Sequence, residues 1–207
     1  MNVMAVPLLE NRIPAYVETL AKLVAGTAAT AGSGASLPLP NAFDWVIRTA
    51  RESHDAGNKL IFVGNGGSAG ICSHMATDYS KNGNLRSLAL NDGSMLTCLG
   101  NDYGYEHVFS KQIEFHARAG DLLVAISSSG KSANILNAVQ AARAARCKVV
   151  TFSGFTPENP LRKSGDMNFF IASGEYGFVE VGHLTLCHAI LDLSLGWGVA
   201  QTDTTKG

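Results

Sequence analysis

Leu122–Asn134, LLVAISSSGKSAN, is the stretch that decides the fold. It opens with a continuous apolar run, which is typical of a strand buried on both faces of a parallel sheet. A loop of hydroxyl side chains and one glycine follows, and helix-like sequence begins at Ala133. A strand that turns into a helix in this way leaves free backbone N–H groups where an anion can bind. A plain turn with Ser132 as the helix cap is the simpler interpretation, but the loop has more polar residues than a cap requires.

Strand-like and helix-like segments alternate on both sides of this stretch. The predicted strands are Lys59–Val63, Ser87–Leu90, Leu122–Ile126, Lys148–Phe152 and Met167–Ala172, and the predicted helices are Val6–Ala25, Asn41–His54, Ala69–Lys81, Tyr105–Ala117, Ala133–Ala145 and Phe178–Val199. This alternation predicts a three-layer α/β fold, with a doubly wound parallel sheet of five strands in the flavodoxin-like order 2-1-3-4-5.

The simplest organisation is one domain over residues 1–207. We expect additional N-terminal helices in 1–56, an α/β core with a closing helix in 57–200, and a polar tail in 201–207. Thr27–Pro40 is rich in small residues and is predicted to be a linker. The first two helices therefore have no strand of their own in this prediction.

Composition argues against several classes of function. A formal net charge of -1 gives no basic surface for nucleic acid or for an anionic membrane. No uninterrupted apolar segment is long enough to span a bilayer, and the N-terminus has no signal-peptide pattern. Four dispersed cysteines without CxxC spacing indicate neither a disulfide framework nor a cysteine zinc site. We expect a cytoplasmic protein with no nucleic-acid or membrane partner, and the 46% hydrophobic content favours an oligomer.

Two strand-to-helix turns carry unusual sequences. GNGGS, Gly64–Ser68, follows the first predicted strand, and SSSGKS, Ser127–Ser132, follows the third. In the order 2-1-3-4-5 these strands are neighbours and the chain changes direction between them, so both turns open into one crevice. Neither turn has the spacing of a dinucleotide or nucleotide loop. The sequence therefore predicts a small phosphorylated ligand, bound by hydroxyls and a helix N-terminus.

Ionisable side chains on two helices form a second candidate feature. His74 and Asp78 are four residues apart on one helix face, which suits either a shared metal ion or a local hydrogen bond. The apolar last helix contains Glu180, His183 and His188, and buried ionisable groups need partners. Helical geometry alone pairs Glu180 with His183, because Glu180 and His188 are about 12 Å apart along an ideal helix.

The chain resembles the SIS (sugar isomerase) domain family, and within it the phosphoheptose isomerases. The resemblance rests on VGNGGSA (63–69), CLGNDYGYEHVFSKQIE (98–114), GDLLVAISSSGKSANIL (120–136) and KVVTFSG (148–154). It covers nearly the whole chain and implies the SIS fold and a homotetramer with sites between subunits. It also implies an aldose-ketose isomerase that converts sedoheptulose 7-phosphate to D-glycero-D-manno-heptose 7-phosphate through an enediol(ate).

The resemblance also assigns roles to individual residues. It implies that the substrate is bound by Asn65, Gly66, Gly67, Ser68, Asn101, Asp102, Ser127, Ser128, Ser129 and Ser132. A divalent metal, usually zinc in the family, is implied at His74, Asp78, Glu180 and His188. Asp78 and His188 are implied to transfer protons, which leaves His183 for packing. Asp78, Glu180 and Gly177 stand where the family has a glutamate, a glutamine and an aspartate.

Two other functions remain open from the sequence. One is a non-catalytic SIS protein that acts as a sugar-phosphate sensor or as an adaptor for a protein partner such as a replication initiator. The replaced residues favour this alternative, whereas His74 and His188 argue for an intact site. The other is a phosphosugar lyase or deaminating relative, for which the sequence shows no added base or amide-handling domain.

Overall fold

The computed structural model describes residues 6–198. Within this range the helices are α1 Val6–Ala25, α2 Leu39–Asp55, α3 Gly67–Lys81, α4 Gly93–Tyr103, α5 Val108–His116, α6 Ala133–Ala144 and α7 Tyr176–Ser194. The strands are β1 Ala28–Ala31, β2 Ser36–Leu37, β3 Leu60–Gly64, β4 Ser87–Ala89, β5 Leu122–Ser127, β6 Lys148–Ser153 and β7 Met167–Phe170. Short 3₁₀ turns lie at Tyr105–His107 and Pro160–Lys163.

The parallel strands form the centre of one sheet in the order β4-β3-β5-β6-β7. Numbered along the chain, this is the predicted order 2-1-3-4-5, which is therefore confirmed. All residues of β3 and β5 are buried, because helices cover both faces. Residues of α2, α3 and α7 pack on one face and residues of α4, α5 and α6 on the other. The continuous apolar runs of the sequence thus belong to strands covered on both sides.

The prediction that Thr27–Pro40 is a linker is wrong in one respect, because this segment contains a β-hairpin. β1 pairs antiparallel with β7, and β2 pairs with β1, which extends the sheet to seven strands. All residues of β7 are buried, and an uncovered edge there would leave its backbone N–H and C=O groups unpaired. The sequence of β1, AATA, lacks the β-branched alternation that predicts strands. Its strand structure therefore depends on β7 rather than on its own sequence.

The closing helix α7 ends at Ser194, before the predicted end at Val199. Gly196 and Gly198 have φ values of 90° and 80°, a left-handed conformation that is common just after a helix end. The apolar sequence continues through Leu195, so hydropathy alone extended the prediction too far. Val199 itself and the predicted tail 201–207 lie outside the described residues.

Asp121 joins the beginnings of two central strands. Its side chain is fully buried and accepts the backbone N–H groups of Lys59 and Arg118, each at 2.9 Å, and the Lys59 ammonium at 2.7 Å. Lys59 directly precedes β3 and Asp121 directly precedes β5. This carboxylate therefore helps to fix the register in which Leu60 lies opposite Leu122.

We expect Asp121→Ala to lower the free energy of unfolding by about 3 kcal/mol, because it leaves two N–H groups without their acceptor and the largely buried Lys59 ammonium without its counter-ion. Urea denaturation followed by circular dichroism measures the change. The control is Asp44→Ala, which removes an exposed, solvent-screened ion pair with Arg48 and should change the stability far less. Equal losses in the two variants would contradict the anchoring role of Asp121.

Candidate active site

A pocket of about 130 Å³ lies at the carboxyl ends of β3 and β5. Its lining side chains come from the two unusual turns and from the start of α7, and they include Asn65, Ser68, Ser127, Ser128, Ser129, Ser132, Tyr176 and Glu180. The two strands are paired in parallel from Leu60 opposite Leu122 to Gly64 opposite Ile126. Their ends therefore coincide, and the two turns meet in one crevice as the sequence predicts.

The turn after β5 is folded by its own hydroxyl groups. Gly130 has a φ of 63° and donates its N–H to the Ser127 hydroxyl at 3.2 Å. The N–H of Lys131 donates to the Ser129 hydroxyl, also at 3.2 Å. These bonds hold the loop in a tight curve and direct the serine side chains into the pocket that they line.

Two serines of this turn have hydrogen-bonding capacity left over. Ser132 is the N-cap residue of α6, yet its side chain makes no capping hydrogen bond. Within the described residues, the buried hydroxyl of Ser128 has no partner. A buried polar atom without a partner is costly. The interpretation of Ser132 as a plain cap is therefore not supported, and a ligand oxygen would satisfy both hydroxyls.

The turn after β3 contributes backbone groups in addition to the side chains of Asn65 and Ser68. Gly66 has a φ of 54°, and α3 begins at Gly67 with no side chain capping it. A Cβ atom at Gly67 would lie 2.4 Å from the carboxylate of Glu180. Glycine at this position therefore lets α7 bring Glu180 against the start of α3.

Asn65 lines the pocket and has two partners that the sequence analysis did not identify. Its side-chain amide forms a reciprocal pair with the amide of Asn134, with both hydrogen bonds at 2.9 Å. The Tyr105 hydroxyl donates to Asn65 Oδ1 at 3.0 Å. Asn134 lies two residues after the serine turn, and this closeness in sequence could have identified it as a partner. Tyr105 is forty residues from Asn65, and no sequence pattern connects the two.

Asn101 and Asp102 lie on the exposed last turn of α4. The Asn101 amide donates to the Asp102 carboxylate at 2.8 Å. Neither residue is among the residues of the described chain that line the pocket. Their assignment to the substrate stays a prediction.

His74, Asp78 and His188 form a cluster in which one possible ligand atom from each lies within 4.8 Å of the others. The Nε2 atoms of the two histidines are 3.2 Å apart, and His74 Nε2 lies 3.5 Å from Asp78 Oδ2. Ligand atoms at zinc–nitrogen distances of 2.0–2.1 Å around a tetrahedral ion are separated by about 3.3 Å. The donor types and the spacing therefore fit a divalent metal.

Glu180 does not belong to this cluster as the described residues are arranged. It lies about two helical turns before His188 on α7 and lines the serine pocket instead. The structure thus brings together three of the four residues that the resemblance assigns to the metal. The role of Glu180 as a ligand stays a prediction.

A model of the SIS domain matches residues 40–154, which is more than half of the chain. The chain belongs to the SIS domain family. A phosphoheptose isomerase of Rhodospirillum rubrum is 45% identical over 144 residues, 67% of this chain and 76% of that protein. A phosphoheptose isomerase of Citrifermentans bemidjiense is 34% identical over 161 residues, 75% of this chain and 83% of that protein. The family inferred from the sequence motifs is therefore confirmed.

Solved structures agree with this placement in the SIS domain family. The phosphoheptose isomerase GmhA from Neisseria gonorrhoeae has a TM-score of 0.76 and 30% sequence identity. The alignment covers 90% of this chain and 99% of that chain. The likeness therefore extends beyond the residues matched by the family model.

His183 occupies a buried position beneath the site of this SIS domain. Its Nε2 atom lies 3.1 Å from the Ser153 carbonyl at the end of β6. A carbonyl only accepts, so Nε2 carries the proton, and within the described residues Nδ1 has no partner. Burial lowers the pKa of His183 to about 4, although the hydrogen bond to Ser153 opposes this shift. His183 therefore packs as a neutral side chain, in agreement with the packing role that the resemblance implies.

We expect the stability of the protein to fall as the pH drops from 6.5 to about 4, the interval between the ordinary and the folded-state pKa of His183. In this interval the unfolded chain binds a proton that the folded chain does not, which disfavours folding by up to about 3 kcal/mol. His183→Gln should lose this part of the pH dependence in urea titrations. The exposed His116→Gln should keep it, and identical pH profiles for wild type and His183→Gln would contradict the assignment.

We expect Glu180→Gln to bind inorganic phosphate about three- to five-fold more tightly, because the variant removes a negative charge from the lining of the pocket. Isothermal titration calorimetry measures the affinity. Glu175→Gln makes the same change at an exposed position just before α7 and should leave the affinity unchanged. Weaker phosphate binding together with loss of bound metal in Glu180→Gln would assign this carboxylate to the metal instead.

Proposed function

We propose that the protein is a phosphoheptose isomerase that converts sedoheptulose 7-phosphate to D-glycero-D-manno-heptose 7-phosphate. The observation that carries the proposal is the placement of the serine pocket and the His74–Asp78–His188 cluster along the same two helices. Ser68 lines the pocket on α3, and His74 follows about 9 Å further along that helix. An extended seven-carbon sugar can bridge this separation, with its phosphate at one end and its carbonyl group at the other.

The serine turn is proposed to bind the phosphate through neutral donors. Ser127, Ser128, Ser129 and Ser132 supply hydroxyl groups, and the backbone around Gly66 and Gly67 supplies N–H groups at the start of α3. The unpartnered Ser128 hydroxyl supports this assignment.

The proposed reaction transfers one proton between neighbouring carbons of the open-chain sugar. A base removes the proton from the carbon next to the carbonyl group, and the released electron pair forms the carbon–carbon double bond of an enediol(ate) while the carbonyl π electrons move onto the carbonyl oxygen. The hydroxyl on the deprotonated carbon then gives up its proton and becomes the new carbonyl group, as a proton is returned to the other carbon and the first oxygen becomes a hydroxyl. Asp78 and His188 are assigned these transfers, because Asp78 Oδ2 lies 3.8 Å from His188 Nδ1 and the two side chains are partly accessible.

His74, Asp78 and His188 are proposed to hold a divalent ion, with zinc as the candidate that fits their donor atoms. Such an ion would supply Lewis-acid polarisation of the sugar carbonyl. His188 is also the candidate for moving the proton during ring opening. These roles do not require Glu180, which faces the pocket.

The assembly is proposed to be a homotetramer with sites between subunits. One chain encloses about 130 Å³, less than the roughly 300 Å³ of the smallest pockets that bury a drug-sized ligand. Exposed apolar side chains on α1, including Ile13 and Val17, support burial against another copy. Asn101 and Asp102 are exposed on one chain and are proposed to reach a site that two chains share.

A cytoplasmic location is proposed on the basis of the four free cysteines. Within residues 6–198, no helix combines the length and the apolar character that crossing a bilayer requires. The non-catalytic alternative, a sensor or adaptor, is not favoured, because the relatives that match over most of the chain are phosphoheptose isomerases.

The test is a discontinuous assay of aldose formation from sedoheptulose 7-phosphate by purified protein of known metal content. We expect turnover by the wild type, a loss of at least about a hundred-fold in His188→Gln because proton transfer is impaired, and loss on treatment with a chelator. The control is His116→Gln, which changes an exposed histidine far from the cluster and should remain active. Tight phosphosugar binding without turnover would refute the isomerase and favour the binding role.

A further inference from the structure

The side-chain amide of Asn65 is held by more contacts than its position in a loop requires. It exchanges two hydrogen bonds with Asn134 and accepts a third from the Tyr105 hydroxyl. Asn134 is buried at the start of α6, with 3% of its surface exposed, whereas Tyr105 is 63% exposed in the 3₁₀ turn before α5. Three separate segments of the chain therefore converge on one amide group.

The hydrogen-bond count of Asn65 leaves one group free. An amide oxygen has two lone pairs, and Asn65 Oδ1 uses them for Asn134 Nδ2 and Tyr105. An amide nitrogen has two hydrogens, of which Asn65 Nδ2 gives one to Asn134 Oδ1. Because Asn65 lines the serine pocket, the remaining N–H is a donor available to a ligand there.

We propose that Asn134 and Tyr105 are positioning residues, which fix the Asn65 amide so that its free N–H donates to a sugar oxygen of the substrate. This inference rests on the proposed isomerase function. Asn65 lies at the serine pocket, the phosphate end of the proposed substrate pose, and a donor that is already oriented there holds the sugar in line with the base at the His74–Asp78–His188 cluster. Asn65 touches the substrate in this proposal, and the other two residues act through it.

Loss of Asn134 should impair the reaction more than loss of the Tyr105 hydroxyl. Loss of the Asn134 side chain removes both bonds of the amide pair and leaves Asn65 free to rotate. Loss of the Tyr105 hydroxyl removes a single bond at an exposed position, and the amide pair remains. Both changes should lower kcat more than they raise KM, because a bound sugar that is held out of line with the base reacts more slowly.

The first experiment compares Tyr105→Phe with Tyr103→Phe in steady-state assays on sedoheptulose 7-phosphate. Both tyrosines are at least half exposed and lie two residues apart, so the substitutions remove the same hydroxyl from the same region. We expect kcat to fall about ten-fold in Tyr105→Phe with KM changed less than about two-fold, and no change in Tyr103→Phe. In Asn134→Ala, kcat should fall by about a hundred-fold. The control is Gln140→Ala, which changes an exposed residue of the same helix.

A double-mutant cycle tests whether Tyr105 acts through Asn65. In an Asn65→Ala background, the ten-fold effect of Tyr105→Phe should disappear. An equal effect in both backgrounds would overturn the proposal. Asn65→Asp keeps acceptors for Tyr105 and Asn134 but has no N–H, so it should be as impaired as Asn65→Ala. Retained activity in Asn65→Asp would show that the pocket uses an acceptor at this position and would also overturn the proposal.

A readout that does not need activity separates this proposal from the proposed function. In protein labelled with ¹⁵N-asparagine, Tyr105→Phe should shift the side-chain amide signal of Asn65, and Tyr103→Phe should not. If the wild type fails to isomerise sedoheptulose 7-phosphate while the Asn65 signal responds to Tyr105→Phe and to inorganic phosphate, the positioning contact stands and the isomerase assignment fails. If the Asn65 amide signal does not shift in Tyr105→Phe, the positioning contact is overturned, whatever the activity.

Discussion

The parallel pairing of β3 with β5 is the constraint on which the site depends. The two strands are neighbours in the sheet but are separated in the chain by α3, β4, α4 and α5. Their register brings Gly64 opposite Ile126, so the turns that follow leave the sheet at one level. The carboxylate of Asp121 holds the opposite ends of the same strands through the Lys59 backbone and ammonium. A shift by one residue would turn every buried side chain of a strand to the other face and would separate the two turns.

A second group of buried polar side chains supports the serine turn from behind. Asn159 is fully buried, and its amide nitrogen donates to the Gly154 and Thr156 carbonyls while its oxygen accepts the Arg162 N–H. A Cβ atom at Gly130 would lie 2.0 Å from this side chain. The turn is therefore supported by Asn159 as well as by its own serines, and the missing Cβ at Gly130 allows this close approach. The support comes from satisfied hydrogen bonds, so it is rigid rather than merely hydrophobic.

Features that depend on local sequence could be predicted, whereas those that depend on distant partners could not. The buried strands have continuous apolar runs, and the two turns have unusual composition, so the central sheet order and the meeting of the turns followed from the chain alone. β1 has no strand pattern and exists because β7 needs a partner. The bond between Tyr105 and Asn65 joins segments whose spacing in the sequence carries no periodicity. Helical geometry paired Glu180 with His183, but in the structure His183 Nε2 donates to the Ser153 carbonyl instead.

The groups at the starts of α3 and α7 determine how the proposed phosphate would be held by a nearly neutral chain. Each helix starts at the serine pocket, where Gly67 and Glu180 meet, and each carries part of the histidine cluster further along. The hydroxyls and the α3 start attract a phosphate, while the Glu180 carboxylate opposes it in the same small volume. The attraction comes from neutral donors rather than from arginine, and among residues 6–198 no fixed positive charge lines the pocket to outweigh this repulsion. In the proposed function the pocket would recognise phosphate by geometry, and the opposing carboxylate would limit how strongly a phosphorylated product is retained.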